Sequence, residues 1–481
     1  MTSSPPVHDV AVIGGGIVGA AIARELSGHE LSGHELSVAL VEARGDVGDG
    51  TSKANTAILH TGFDAKPGTL ESTLVARGYH RLLEYAGSTG IPVEHTGALL
   101  VAWNDEELAA LPALREKAER NGYDRCEIVG ADEVYRQVPS LGSGALGGLT
   151  VPDESIICTW TTNLALATEA QLRGTEVLLG HAVTAVTIDD GVTTLVTSAG
   201  LVRARWVINA AGLGADHVDR LFGHERFTVT PRRGELLVYD KLARPLVDKI
   251  VLPVPTARGK GVLVAPTIYG NVMLGPTAED LADRTDTGTS ATGFEFLLDK
   301  GERIMPRLLT EEVTASYAGL RAAIDHGDYL IEATPEQRYL VVGGIRSTGL
   351  TAGIAIAEHV REQLQEAGLA LVARTELPAP PRMPTIGEAA TRPYEDARRI
   401  AEDPAYGRVV CFCERVTAGE IRDAFQAPLP ARDVGGLRRR TRAMNGRCQG
   451  FYCGAEVNRL VAAQGDPAVL DACSPEEGEA R

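Results

Sequence analysis

Two groups of residues in this sequence have the types and spacing to do chemistry. Near the C-terminus stand Cys411-Phe-Cys413 and, after a gap of 34 residues, Cys448-Gln-Gly-Phe-Tyr-Cys453. Four thiolates can hold a structural zinc or an iron-sulfur cluster. A single residue between the first two cysteines is unusual for a zinc ribbon, whose pairs are commonly separated by about two to four residues. Cys411, Cys413, Cys448, Cys453 and Cys473 crowd the last 71 residues, which in a reducing compartment suggests metal or redox chemistry and not a disulfide framework. Cys473, close to a polar C-terminus, is read as outside the ligand set. The second group opens the chain: Gly14, Gly16 and Gly19 in a GxGxxG run, with Glu42 beyond it. Gly14 permits a tight turn, Gly16 lets the backbone approach a pyrophosphate, and Gly19 lets a helix pack close to a strand. Glu42 could accept hydrogen bonds from an adenosine ribose.

The elements that must position these residues are visible around them. Val10-Ala-Val-Ile13 is an apolar run that passes through the glycines into an Ala/Ile helical pattern, and Ser37-Val-Ala-Leu-Val41 is a second strand ending at Glu42. Phosphates would sit on the free N–H groups of the helix N-terminus. Between helix and second strand, Ser27-Gly-His-Glu-Leu31 is repeated as Ser32-Gly-His-Glu-Leu36. Glu42 therefore lies 23 residues after Gly19, and removing one copy would make that 18, against a usual offset of roughly 20. The extra copy is expected in a surface loop, with His29 and His34 as solvated residues.

At 481 residues, 44% hydrophobic and 23% charged, the chain has room for about three soluble globular domains. A net charge of -17 argues against nucleic acid as a partner. The N-terminus lacks signal-peptide character and no run of 18 apolar residues occurs, so a cytoplasmic protein without a transmembrane segment is expected, with any membrane association peripheral and through a partner.

Further along, Gly50-Thr51-Ser52 through His60-Thr-Gly62 is a polar, glycine-rich loop. Thr51 and Ser52 could donate to pyrophosphate or ribityl oxygens of a flavin dinucleotide, or cap the next helix. Helices are expected over 69–90, 104–121 and 159–174, and an antiparallel meander over Glu176-Val-Leu-Leu179, 182–188, 194–197 and 201–205. Trp206-Val-Ile-Asn209 then enters a second glycine turn at Ala211-Gly212. Residues 217–325 read as a mostly antiparallel domain. Tyr339-Leu-Val-Val-Gly343-Gly344-Ile-Arg346-Ser-Thr348-Gly349-Leu350-Thr351 is again strand, turn and helix, with Thr348 or Thr351 as cap and a helix N-terminus facing a flavin pyrimidine. Pro378, Pro380, Pro381 and Pro384 mark a linker over 366–408.

In order and spacing, the fingerprint, the 50–62 loop, the Asn209-Ala-Ala-Gly212 turn and the 343–351 turn resemble the D-amino-acid-oxidase-like FAD-dependent oxidoreductases. His60-Thr-Gly-Phe-Asp-Ala-Lys-Pro-Gly-Thr-Leu70 and Gly275-Pro-Thr-Ala278 are most similar to bacterial glycerol-3-phosphate and L-2-hydroxyglutarate dehydrogenases. One branch carries Arg-Tyr soon after the His-Gly loop, where this chain has Phe63-Asp64. The cysteine spacing resembles the bacterioferritin-associated-ferredoxin-like [2Fe-2S] domain, with zinc the alternative. The resemblance implies an α/β fold: a Rossmann-like FAD-binding domain with an inserted antiparallel α+β substrate domain over 8–365, and a small iron-sulfur domain over 409–465. FAD-binding segments would be about 8–78, 155–216 and 326–365, and the substrate domain about 79–154 and 217–325. It also implies FAD contacts at Val183, Ala211, Gly212, Gly344, Arg346, Gly349, Leu350 and Thr351.

His60, in a loop expected beneath the flavin, is a candidate base for a hydroxyl proton, because imidazole titrates near neutrality; binding the flavin is its alternative role. Arg321, before an apolar pair, is an odd place for a charge unless it meets a substrate anion. Arg233 and Lys260 are further anion-binding candidates. The basic run Arg438-Arg-Arg-Thr-Arg442 would dock an acidic partner or stabilise an anionic cluster, or else form a solvated helix face. The resemblance, with these residues, implies a dehydrogenase that oxidises a small anionic secondary alcohol, first of all glycerol 3-phosphate, and passes electrons through the cluster to a flavoprotein or quinone-linked partner. L-2-hydroxyglutarate, an amino acid, and a pure electron-transfer role are the alternatives.

Overall fold

The computed structural model describes residues 5–255, 261–388 and 391–463, and its contacts divide the chain between Met383 and Pro384. Lys260 and Cys473 lie outside the described residues.

In the first unit a parallel sheet is built on Val7–Ile13, whose last six residues are all buried. A strand apolar on both faces must be covered on both faces, which is why its neighbours are parallel and connected through helices. Val38–Glu42 lies on one side, with Val10 opposite Val38 and Val12 opposite Leu40. Gly200–Asn209 lies on the other, with Val10 opposite Trp206, and Tyr339–Gly343 follows it in parallel. The helices Ile17–Leu26, Thr159–Leu172 and Gly349–Glu366 belong to this layer.

Three expectations are corrected here. Glu176–Leu179 is not in the meander; it extends the parallel sheet beyond Val38–Glu42, and the meander consists of Val183–Asp189, Val192–Thr197 and Gly200–Asn209. The pentapeptide repeat is a β-hairpin and not a loop, with Glu30 opposite Glu35 and Leu31 opposite His34. Its turn is Ser32-Gly33, both at positive φ (52° and 83°), as a primed two-residue turn requires, whereas the identical Ser27-Gly28 ends a helix with Ser27 in the right-handed region. His29 is buried and shares a 2.9 Å hydrogen bond with the Glu25 carbonyl, so only His34 of the two histidines is exposed. Finally, 366–408 is not one linker: Leu371–Ala373 pairs with the hairpin strand His29–Leu31, while Ala397–Glu402 forms a helix within the second unit.

The other large sheet of this unit has nine strands and is antiparallel except where Ile250–Pro253 runs parallel to Ala98–Ala102. Its longest pairing joins Val229–Tyr239 to Val313–Ile324, and this register sets Arg232 opposite Arg321. A small three-stranded sheet, Ile58–Leu59, Ser155–Ile157 and Val93–Glu94, sets Ser155 opposite Leu59.

The second unit has its own core, including Val416, Ile421, Leu437, Val457 and Leu460. The strands Val409–Cys411 and Val416–Thr417 precede the helix Ala418–Gln426, whose Thr417 and Glu420 form a reciprocal capping box. The basic run is structural in part: Arg440 is buried and donates to the carbonyls of Leu429 and Gly436, and Arg442 pairs at 2.7 Å with the buried Glu414. Buried arginines that are committed in this way do not form a solvated face.

Candidate active site

A cavity of about 1330 Å³ opens between the parallel sheet and the antiparallel sheet of the first unit. That exceeds the roughly 300–1,000 Å³ typical of small-molecule pockets and leaves room for a dinucleotide together with a substrate. Of the residues expected to hold a cofactor, Gly14, Gly16, Glu42, Thr51, Ser52, Val183, Ala211, Gly212, Arg346, Gly349 and Leu350 line it.

The two glycine turns touch: a Cβ on Gly14 would lie 2.4 Å from the Ala210 carbonyl oxygen, and Gly14 is at φ 109°. Gly19 does not line the cavity but lets the helix approach, since a Cβ there would lie 1.8 Å from the Gly14 carbonyl oxygen. Gly19→Ala should therefore destabilise the unit by about 1–3 kcal/mol or more and lower its flavin content. Thermal unfolding and the flavin-to-protein absorbance ratio check this; unchanged values of both would contradict it.

The helix Ile17–Leu26 begins at Gly16 with no side-chain cap of its own. Ser52 supplies one from 35 residues away, its Oγ accepting from the Ile17 N–H at 2.9 Å, which leaves its own proton to donate. Thr51 instead donates to the Leu320 carbonyl at 2.8 Å. Glu42 accepts from the Gly15 N–H at 2.6 Å and the Arg44 N–H at 2.7 Å. Burial raises its carboxyl above the usual range, against the pull of those two donors. A buried carboxylate fixed beside the fingerprint glycines is a fit for the ribose of a dinucleotide.

At the 343–351 turn the capping expectation is corrected. Thr348 occupies the cap position, but its hydroxyl is engaged with Tyr329 at 2.6 Å and Glu71 at 2.9 Å and does not cap the helix. Thr351 Oγ1 accepts the His60 backbone N–H at 3.0 Å. The first N–H groups of this helix, at cavity-lining Gly349 and Leu350, thus lack side-chain caps and suit a flavin ring that gains negative charge. Arg346 reaches Glu71, and Gly344, at φ 70°, shapes the turn from outside the cavity.

His60 and Arg321 both line the cavity. His60 Nδ1 lies 3.0 Å from Oε2 of Glu154, which is fully buried. Glu154 was not legible as a site residue: it stands 94 positions from His60, and only the pairing of two very short strands brings it there. Arg321 has a single weak contact, 3.4 Å to the Thr277 carbonyl, and no carboxylate partner among the described residues. Burial, and then the charge of Arg232, lowers its pKa from the usual value. A half-buried guanidinium with no counterion among the described residues invites an anion.

Arg233 is a correction. Its guanidinium is buried against Glu235 at 3.1 Å, Glu279 at 2.6 Å and Asp286 at 3.2 Å, and it does not line the cavity. Strand alternation is the reason: Arg232, one residue earlier, is the arginine that faces the cavity, where it forms a two-point pair with Asp280 at 2.6 and 3.0 Å.

In the second unit Cys413 lies beside Cys448 and Cys411 beside Cys453, two neighbouring pairs, while no three possible ligands among the described residues are gathered as closely as a bound metal would draw them. Cys411 and Cys453 are buried, the other two partly exposed. Backbone N–H groups, that of Tyr452 foremost, lower the Cys448 thiol pKa, whereas burial raises those of Cys413 and Cys453.

Comparison with known proteins agrees with both halves. Residues 9–363 match the family of FAD dependent oxidoreductases, and residues 409–463 match the BFD-like [2Fe-2S] binding domain. A glycerol 3-phosphate dehydrogenase of Caloramator mitchellensis is 34% identical over 95% of this chain and 94% of its own length. An L-2-hydroxyglutarate dehydrogenase of Indibacter alkaliphilus is 30% identical over 60% of this chain and 72% of its own. The dithionite-reduced L-alpha-glycerophosphate oxidase of Mycoplasma pneumoniae with FAD bound superposes with a TM-score of 0.74 at 28% identity, over 79% of this chain and all of that one. No helix among the described residues is long and apolar enough to cross a membrane. The chain belongs to the FAD-dependent oxidoreductases of the D-amino-acid-oxidase type, with FAD as the cofactor of its first unit and a C-terminal BFD-like [2Fe-2S] domain.

Proposed function

We propose that this cytoplasmic enzyme oxidises glycerol 3-phosphate to dihydroxyacetone phosphate and delivers the electrons through its cluster to a flavoprotein or quinone-linked partner. The observation that carries the reading is Arg321, half-buried and without a carboxylate partner among the described residues, in the same cavity as a histidine held by a carboxylate. Arg321 would bind the substrate anion, with Arg232 adding positive charge from the facing strand position. His60 would take the hydroxyl proton at Nε2, its other nitrogen being engaged by Glu154. FAD, when bound, accepts the hydride equivalent from the carbinol carbon, and a [2Fe-2S] cluster transfers single electrons.

In this reading the FAD is held by Gly14, Gly16, Gly19, Glu42, Thr51, Ser52, Val183, Ala211, Gly212, Gly344, Arg346, Gly349, Leu350 and Thr351, on segments 8–78, 155–216 and 326–365. The substrate domain is 79–154 and 217–325, and Cys411, Cys413, Cys448 and Cys453 hold the cluster. Support comes from the Caloramator relative, which aligns through both units. Steady-state turnover with a one-electron dye tests the substrate. The expected kcat/KM for glycerol 3-phosphate exceeds that for L-2-hydroxyglutarate by at least about 100-fold, or about 2.7 kcal/mol in transition-state binding. A ratio near or below one would transfer the assignment to the 2-hydroxy acid.

A further inference from the structure

We infer that Glu154 is a positioning residue that fixes the tautomer and direction of the His60 ring. This rests on the reading of His60 as proton acceptor.

Glu154 has no exposed surface, and among the described residues no lysine or arginine pairs with it. Among the described residues, the hydrogen bonds of its carboxylate all come from the His60 loop. Oε1 accepts the Thr61 backbone N–H at 2.7 Å and the Thr61 hydroxyl at 3.0 Å, and Oε2 faces His60 Nδ1 at 3.0 Å. The two bonds at Oε1 fix the carboxylate plane, so Oε2 is aimed by its partner oxygen. Its backbone is held as well, with the Gly97 N–H donating to the Glu154 carbonyl at 2.8 Å. The histidine is held through its backbone as well, where its main-chain N–H donates to the hydroxyl of the fully buried Thr351 at 3.0 Å.

An ionised carboxylate only accepts hydrogen bonds, so Nδ1 must carry the proton and Nε2 the lone pair. That is the form a base needs at the nitrogen left unengaged in the cavity. During oxidation the substrate O–H bond breaks and an N–H bond forms at Nε2. FAD, when bound, would accept the hydride equivalent as the C–H bond breaks and C=O forms. The imidazolium produced lies against the Glu154 carboxylate, which offsets its charge. A carboxylate needed only to join the loop to the strand would require Thr61 and not the histidine ring.

Nitrogen-15 histidine spectra of the FAD-loaded protein, with the His60 signals assigned by their loss in His60→Asn, report the tautomer directly. With the ring neutral, the expected wild-type spectrum shows a protonated, pyrrole-type Nδ1 and a pyridine-type Nε2; protonated Nε2 would overturn the inference without any variant being made. In Glu154→Gln, whose amide can donate to Nδ1, the expected tautomer is reversed. Anaerobic flavin reduction by glycerol 3-phosphate should then slow by about 10²- to 10⁴-fold, with substrate half-saturation changed less than about threefold. A Glu154→Gln protein with bound FAD, unchanged tautomer and near wild-type reduction would also overturn it. If His60→Asn itself reduces flavin at the wild-type rate, it is the reading of His60 as base that fails.

Discussion

Replacing Arg321 by Met should lower kcat/KM for glycerol 3-phosphate by about 10²- to 10³-fold, mostly through KM, while FAD stays bound. The side chain is half-buried, has no carboxylate partner among the described residues, and lines the cavity beside Gly234, where an added Cβ would meet its Nη2 at 2.6 Å. Truncating one partner of a buried, hydrogen-bonded charge pair costs about 2–5 kcal/mol, because the other charge is left uncompensated. Here that other charge would be the substrate's. Without substrate the sign is reversed, since removing an unpaired, half-buried cation relieves part of a desolvation cost. The Met variant should therefore unfold at the same temperature as the wild type or higher. Steady-state kinetics and thermal unfolding, measured together, separate the two effects; unchanged kcat/KM, or a sharp fall in stability, would make Arg321 structural.

Replacing His60 by Asn should slow flavin reduction by about 10²- to 10⁴-fold, the usual contribution of a positioned general base. Asn keeps the backbone N–H that Thr351 accepts, so the loop should remain in place. Stopped-flow absorbance under anaerobic conditions reads the step directly. Slow reduction with undiminished FAD content is the expected outcome, whereas loss of FAD at an unimpaired rate per bound flavin would make His60 a cofactor residue.

Much of this site was legible because its parts are local. Gly14, Gly16 and Gly19 take their meaning from a strand before and a helix after, and periodicity reveals both. The same holds for the 209–212 and 343–351 turns. What was missed depends on register. Arg232 and Arg233 are adjacent on one strand, and nothing local says which faces the cavity; pairing with Val313–Ile324 and Glu279–Asp280 decides it. Glu154 reaches His60 only through the pairing of Ser155 with Leu59. Tertiary partners also reassigned the hydroxyls: Thr348 was drawn to Glu71 and Tyr329 and away from its own helix, while Ser52 caps a helix distant in sequence. The repeated pentapeptide shows the same dependence, since identical Ser-Gly pairs end a helix at 27–28 and turn a hairpin at 32–33.

The most direct test is an anaerobic titration of the FAD- and cluster-loaded protein with glycerol 3-phosphate and, separately, with L-2-hydroxyglutarate, followed by visible absorption. With glycerol 3-phosphate, the flavin band should bleach and the cluster absorbance should fall with it, while in Cys453→Ser, which removes one of the four proposed cluster ligands, only the flavin should respond. L-2-hydroxyglutarate should leave both centres oxidised at matched concentrations. Flavin that remains oxidised with glycerol 3-phosphate, or that bleaches in full while an intact cluster stays oxidised, would contradict a glycerol-3-phosphate dehydrogenase wired to its own iron-sulfur centre.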